Sequence, residues 1–377
     1  ILTRAKKNSD RWREMKRLGT PEKEIEASFL RKTKMKIFTW KGDVDTLMTP
    51  SDSIKYYKYF LHSGLMSMEP QTGHIKAWVG GINNKHFKYD HVEQGKRQVG
   101  STFKPFVYAT AINQLKLSPC DTYPISLYTI PEGKHGNMKA WTPRNSGDNP
   151  LRYKGELSLK KGLASSVNTM SARLIDMVGP KNVSRLATTS LGITRKIPET
   201  PAIALGTVEL SLYEMVSAYA MFANKGLRVE PMMITRIEDK NGTVLTQFTP
   251  KTQEILSEES AYVVLDLLKG VTTGGSGIRL RTTSERPGYV TGYPYGFNNP
   301  IAGKTGTTQN HTDGWFMGVV PNLATGVWTG GEDNAIHFEK IGKGQGASMS
   351  LPTWGIFMRK CYEDPTLNIS KEDFEKP

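Results

Sequence analysis

Three short groups of hydroxyl, amide and ammonium side chains follow one another along the chain: Ser101-Thr102-Phe103-Lys104, Ser166-Val167-Asn168 and Lys304-Thr305-Gly306-Thr307. A serine hydroxyl is a weak nucleophile until a neighbouring base takes its proton. Ser101 and Lys104 have the spacing that puts two side chains on one helical face. A free lysine at pKa about 10.4 is a poor base, so Lys104 needs burial and a second cation to become neutral, and Lys304 is the candidate for that cation. Gly306 leaves room for a ligand backbone at a strand edge, while the hydroxyls of Thr305 and Thr307 and the Lys304 ammonium suit a carboxylate. The chemistry these residues point to is a serine nucleophile activated by a depressed lysine.

The groups differ in specificity. At average composition about one S-x-x-K is expected by chance in a chain of this length, and a second occurs at Ser158 to Lys161. Ser158 follows Glu156-Leu157 and heads a predicted helix, which reads as an N-cap. Ser101 stands differently. Gly100 precedes it, Phe103, Phe106, Val107 and Ala109 follow, and Pro105 lies in the first turn, where proline is tolerated. Its hydroxyl is therefore placed at a helix N-terminus, where free N–H groups favour developing negative charge. K-T-G-T is far rarer, with a chance expectation on the order of 0.01.

The elements that must hold these residues come from periodicity. Alternation over 65–69 and 74–79 around Pro70-Gln71-Thr72-Gly73 predicts a β-hairpin, and 314–320 with 325–329 around Pro321-Asn322 predicts another, with Trp315 and Trp328 in its strands. Apolar positions at three- and four-residue spacing predict helices over 103–115, 158–178, 181–191 and 211–223. Sheet, then helices, then sheet implies an α+β domain whose sheet is assembled from both ends of the chain. From Thr3 to about Lys36 the composition favours helix, with a break at 19–22. Asn241-Gly242 reads as a hairpin turn rather than part of a calcium loop, because Pro250 occupies the position where the loop needs glutamate. The glycine-rich stretches 274–277 and 342–346 lack phosphate-loop spacing and read as flexible loops, the first near the cleft.

The length of 377 residues allows two or three domains or one large one. No run of about 18 apolar residues suggests a membrane span, and a start at Ile1 leads us to expect an upstream segment, such as an anchor. Cys120 and Cys361 stand alone, which argues against a metal site, a redox pair or a disulfide framework, so no cofactor is expected. The net charge is +14, and residues 1–45 carry 13 basic and 7 acidic side chains, so 6 of the 14 excess charges lie there. We read 1–50 as a basic arm, able to meet an anionic membrane or wall surface. No nucleic-acid motif accompanies the charge. His135, His311 and His337 read as ordinary loop or surface histidines, and Trp141 and Tyr153 as packing residues.

The three motifs together match the signature of penicillin-binding proteins and class A β-lactamases. The sequence resembles the transpeptidase domain of a bifunctional, class A penicillin-binding protein. The likeness extends to Met68 through Gly81, Gln98 through Phe106, Ala204-Leu205-Gly206 with 211–219, and Ala302 through Thr308 with Asp313-Gly314-Trp315-Phe316. It implies a penicillin-binding-protein/β-lactamase-like fold, an antiparallel sheet flanked by helices with a mostly helical subdomain. The domain would span 51–362, with a tail at 363–377. The family's glycosyltransferase domain is absent from the sequence.

The resemblance further implies D,D-transpeptidation of peptidoglycan stem peptides ending in D-Ala-D-Ala. Ser101 would be the nucleophile and Lys104 its base. Ser166 would relay a proton to the leaving amine, Lys304 would tune it, and Asn168 would hold Lys104 and substrate. Thr305, Gly306 and Thr307 would bind the substrate, and the N–H groups of Ser101 and Thr307 the oxyanion. β-Lactams would acylate the same serine, and the domain would face the wall outside the cytoplasmic membrane. Val167 stands where class A β-lactamases carry aspartate, and no deacylating glutamate can be assigned. A β-lactamase, a D,D-carboxypeptidase and an inert wall-binding or sensor module are the alternatives.

Overall fold

Strands from the two ends of the chain meet in one antiparallel sheet. In a computed structural model that describes residues 1–147, 150–283 and 295–377, its strands run in the spatial order Ala302–Thr307, Asp313–Val320, Leu323–Gly331, Leu61–Met68, Ile75–Val79. Both predicted hairpins belong to it. Trp315 lies opposite Trp328 across the later one, and the earlier one turns at Gly73, whose φ of +75° suits glycine.

Alternation along the strands divides the core into two layers. Trp315, Met317, Val319, Ala324, Trp328, Met66 and Met68 face the helical subdomain; Phe316, Val320, Leu323, Val327 and Leu65 face the other way. Helices Leu212–Ala223 and Glu258–Gly274 cover the first face. Helix Leu351–Glu363 covers the second, with Trp354 filling the space that a side chain on Gly318 would need. The two central strands are buried from end to end. The α+β class is what the order of elements predicted, and the helical subdomain is what the family resemblance implied.

Helix Lys104–Leu115 runs through the interior, and every residue from Lys104 to Ile112 is buried. Apart from Lys104 its sequence carries no charge, the pattern of an enclosed helix rather than a surface one. Ser158 caps the next helix, Leu159–Ala164, by accepting the Lys161 N–H, so the second S-x-x-K is a helix start. The helix predicted over 158–178 is in fact two, Leu159–Ala164 and Asn168–Val178, separated by a turn at Ser166 with φ +54°.

Near the N-terminus, helices Leu2–Asn8, Asp10–Arg17 and Glu22–Ser28 form, with the break at Gly19 as predicted. Trp12, Ile25 and Phe29 make a small core of their own. The helical reading fails over 33–36, because Thr33–Thr39 pairs with Gly42–Met48 as a hairpin. Ile37, Phe38 and the flanking threonines favour strand, and Phe38 packs on Phe60 and Phe87, contacts that outweigh the helix propensity of the lysines. Asn241-Gly242 does turn a hairpin between Arg236–Glu238 and Val244–Gln247. Within 363–377, Phe374 is buried and Asp373 pairs with Lys269 at 2.9 Å.

Gly206 supports the Ser101 segment through backbone contact. The Gly100 N–H donates to the Gly206 carbonyl at 3.0 Å. Gly206 has φ +71°, and a Cβ there would overlap the Gly100 carbonyl. Gly206→Ala is therefore expected to lose about 2–4 kcal/mol of stability in urea denaturation, from left-handed strain plus steric overlap.

Candidate active site

Ser101 lies in the 3-10 turn Gly100–Phe103 that leads into helix Lys104–Leu115, with Pro105 at a position where its missing N–H costs nothing. Its backbone is held from several sides. The Val99 N–H donates to Val208 O at 3.1 Å, Thr102 Oγ1 donates to Val99 O at 2.7 Å, and the Tyr219 hydroxyl donates to Thr102 O at 2.6 Å. Gly100 has φ +55°, and a Cβ on it would stand 2.6 Å from Thr307 O, so the segment rests directly against the edge strand Ala302–Thr307. Ser101 is half-buried, and among the described residues its hydroxyl has no hydrogen-bond partner.

Two fully buried lysines converge on Ser166. Lys104 Nζ donates to the Ser166 carbonyl (2.6 Å), Ser166 Oγ (3.1 Å) and Asn168 Oδ1 (2.6 Å). Lys304 Nζ donates to Ser166 Oγ (3.1 Å) and Thr305 O (3.0 Å). Burial, and secondarily the charge of Lys304, holds Lys104 well below its ordinary pKa. Burial pushes Lys304 down to about 7. Among the described residues no carboxylate pairs with either amine. The spacing puts Lys104 on the same helical face as Ser101, and its hydrogen bonds run to Ser166 and Asn168. Carbonyl and amide oxygens are strong acceptors for an ammonium, and here they lie opposite the helix.

Ser166 Oγ accepts from both amines, which leaves its own proton free to donate. The φ of +54° costs a non-glycine residue roughly 1–2 kcal/mol. It is held by the Ser166 N–H on Leu163 O (3.0 Å), the Val167 N–H on Gly162 O (2.9 Å) and the Lys104 ammonium on the Ser166 carbonyl. Thus Lys104, Ser166, Asn168 and Lys304 meet through hydrogen bonds from three separate stretches of chain, and Ser101 lies in the turn just before Lys104.

The edge strand behaves partly as predicted. Thr307 Oγ1 accepts the Gly346 N–H at 3.1 Å, which leaves its own proton free to donate. The Thr305 hydroxyl lies 2.6 Å from that of Ser276. Gly306 corrects the expectation of room for a ligand: a Cβ there would stand 2.8 Å from Val99 O and 2.9 Å from Thr102 Cγ2, so protein already fills that space. Its glycine is needed for the strand to approach the Ser101 segment.

Two further contributors were not assigned to the site from sequence, although Ser276 lies in the stretch read as a loop near the cleft and Asp313 in a segment of the family resemblance. Ser276 sits in the glycine-rich stretch 274–277 and ties its N–H to Ala164 O at 3.0 Å, bridging the Ser166 turn to Thr305. A Cβ on Gly275 would overlap the Ala164 carbonyl, which explains the glycine. Asp313, 2% exposed, accepts from Arg97 Nε (2.6 Å), Trp328 Nε1 (3.0 Å) and Thr312 Oγ1 (2.7 Å). It anchors the lead-in to Ser101 on the next strand of the sheet. His135 pairs with Asp176 at 2.8 Å and His311 contacts Phe338 O at 3.2 Å, neither bonded to the hub. Trp141 packs against the main core, and the Tyr153 hydroxyl accepts the Asn145 N–H.

The transpeptidase domain model of penicillin-binding proteins matches residues 64–331, and the penicillin-binding protein middle domain model matches residues 1–61. The chain is 30% identical over 350 residues to penicillin-binding protein 1A of Aquifex aeolicus, covering 89% of this chain and 44% of that protein. It is 31% identical over 310 residues to penicillin-binding protein 1A of Neisseria meningitidis, covering 79% and 36%. It thus spans less than half the length of these curated relatives. The crystal structure of penicillin-binding protein 1A from Haemophilus influenzae superposes with a TM-score of 0.70 at 26% identity, over 84% of this chain and 49% of that one. PonA1 of Mycobacterium tuberculosis in complex with penicillin V shares the fold, with a TM-score of 0.63 at 20% identity over 100% and 95%.

The strain at Ser166 separates two substitutions that both remove the hydroxyl: Ser166→Gly is expected to be more stable than Ser166→Ala by about 1 kcal/mol in chemical denaturation. Lys304 makes stability depend on pH. Between about pH 7 and the ordinary lysine value of 10.5 the unfolded chain keeps a proton that the folded protein has released, so stability rises with pH across that window. The cost is felt in full below pH 7. Relative to Lys304→Met, the protein is expected to gain on the order of 4 kcal/mol between pH 7 and 10, read from urea midpoints.

Proposed function

The chain belongs to the penicillin-binding protein transpeptidase family, and from that premise we propose that it is an acyl-serine D,D-transpeptidase that cross-links peptidoglycan stem peptides. The observation that carries this reading is the pair of buried, pKa-depressed lysines meeting at Ser166 Oγ, with Lys104 one turn beyond Ser101.

Ser101 Oγ attacks the carbonyl carbon between the two terminal D-alanines. Neutral Lys104 takes the proton: losing its charge leaves it two N–H donors and a lone pair, so one of its three present contacts is released and the lone pair can turn to Ser101. The N–H groups of Ser101 and Thr307 stabilise the oxyanion. Ser166 gives its proton to the departing D-alanine amine and regains one from the lysines on either side. Asn168 keeps Lys104 in place and meets the substrate backbone, and Thr305 and Thr307 receive the terminal carboxylate.

An amine of a second stem peptide then attacks the acyl-enzyme, releasing Ser101 and forming the cross-link. A β-lactam acylates Ser101 by the same route and stays there. Among the described residues no carboxylate hydrogen-bonds Ser101, Ser166 or either lysine. We place the domain in the cell envelope, on the extracytoplasmic face, with the basic N-terminal region able to meet an anionic surface. Among the described residues no helix is long and apolar enough to cross a membrane.

The test is a time course of intact mass with a penicillin, run beside Ser101→Ala. A single long-lived adduct absent from the variant is the expected outcome. Consumption of the drug with no adduct supports a β-lactamase, release of D-alanine from a stem peptide without cross-linking supports a carboxypeptidase, and no reaction supports an inert binding module.

A further inference from the structure

Helix Asn168–Val178 begins without a cap of its own. Val167 occupies the N-cap position and offers no side-chain hydrogen bond, so the first N–H groups of the helix need outside partners. Asn145 supplies them from a separate loop. Its Oδ1 accepts the N–H of Asn168 at 2.8 Å and of Thr169 at 3.1 Å. Its Nδ2 donates to Arg152 O at 3.0 Å, and its own N–H donates to the Tyr153 hydroxyl at 2.9 Å. The residue is 8% exposed. The carbonyl of the preceding residue, Arg144, accepts from Asn168 Nδ2 at 2.7 Å, which orients the amide so that Asn168 Oδ1 faces Lys104.

We propose that Asn145 is a positioning residue for the transpeptidase reaction: by capping the Asn168 helix from outside, it fixes where Ser166 and Asn168 stand relative to Lys104. The proposal rests on the transpeptidase reading above. The backbone N–H and the side-chain amide of Asn168 are both bound by residues 144 and 145, two residues after the left-handed turn at Ser166. Without that hold, the turn at Ser166 can relax toward ordinary backbone and carry its hydroxyl away from the two amines. Asn145 makes no hydrogen bond to Ser101, Lys104 or Lys304, so its influence passes through the helix start.

The test measures penicillin acylation as a saturable reaction, separating the acylation rate constant from the dissociation constant of the preceding complex. In Asn145→Ala the acylation rate constant is expected to fall roughly ten- to hundredfold, the scale for a displaced catalytic group, while the dissociation constant moves by less than about threefold. Asn145→Asp, which keeps the oxygen that accepts from Asn168 and Thr169 and gives up only the Nδ2 donor to Arg152 O, is expected to recover part of the rate, acylating several-fold faster than Asn145→Ala. Ser184→Ala, which removes a buried hydrogen bond to Ile197 O elsewhere in the fold, serves as the destabilised comparison and is expected to acylate at the parent rate.

A folded Asn145→Ala protein with the parent rate constant overturns the proposal. So does a parallel loss in Ser184→Ala, or failure of Asn145→Asp to recover. Should Asn145→Ala not fold, Asn145→Ser, whose side chain is too short to serve both N–H groups, is read by the same criteria. Absence of any adduct on the parent protein defeats the transpeptidase reading itself; a reactive parent with an equally reactive alanine variant defeats this inference alone.

Discussion

Lys104 and Lys304 both lie out of water and both reach the Ser166 hydroxyl oxygen at 3.1 Å. Two ammonium charges so close in a low-dielectric interior repel one another, and neither has a carboxylate partner among the described residues. The relief available is loss of a proton, which turns an ordinary surface cation into a base near neutral pH. The acyl-transfer chemistry we propose depends on this arrangement, and so does much of the packing that excludes water from it. Ser166 keeps a left-handed backbone that ordinary helix geometry would abolish, because its carbonyl and hydroxyl are the acceptors that the amines require.

The scaffold around that hub is stiff for physical reasons that can be traced. The Lys304 strand lies at the sheet edge, yet its neighbour Asp313–Val320 is buried on both faces. Helix Lys104–Leu115 is buried from Lys104 to Ile112. Where the two meet, Gly100, Gly206 and Gly306 let backbones approach at distances no Cβ would permit. The Arg97–Asp313 pair and the Tyr219 hydroxyl fix the segment that carries Ser101. Catalytic groups borne by rigid elements are held to tighter tolerances than groups on loops. The N-terminal helices, by contrast, pack around Trp12, Ile25 and Phe29, a core separate from the two that flank the sheet.

A good part of this was legible in the residues. Period-two runs marked the two hairpins, three- and four-residue spacing marked the long helices, and Ser158 before Leu159 marked a cap. Each of these depends on neighbours a few residues away, and local geometry alone imposes it. The types of the hub residues were readable too, because a nucleophile, a base and a second cation have few chemical equivalents.

What stayed hidden was everything set by contacts between distant parts of the chain. The helix predicted through Ser166 breaks because Lys104 and Lys304 arrive from elsewhere to bond it. Lys104 bonds Ser166 and Asn168 because those acceptors stand opposite it in the folded interior, and Gly306 serves a protein contact that only the folded strand creates. The lysines of 33–36 join a hairpin because Phe38 finds Phe60 and Phe87. By itself the sequence determined the elements and the chemical kinds of the hub residues, since spacing and side-chain type are local properties. Tertiary structure decided which of those residues meet and in what protonation state, since desolvation and long-range hydrogen bonds exist only once the chain has closed around them.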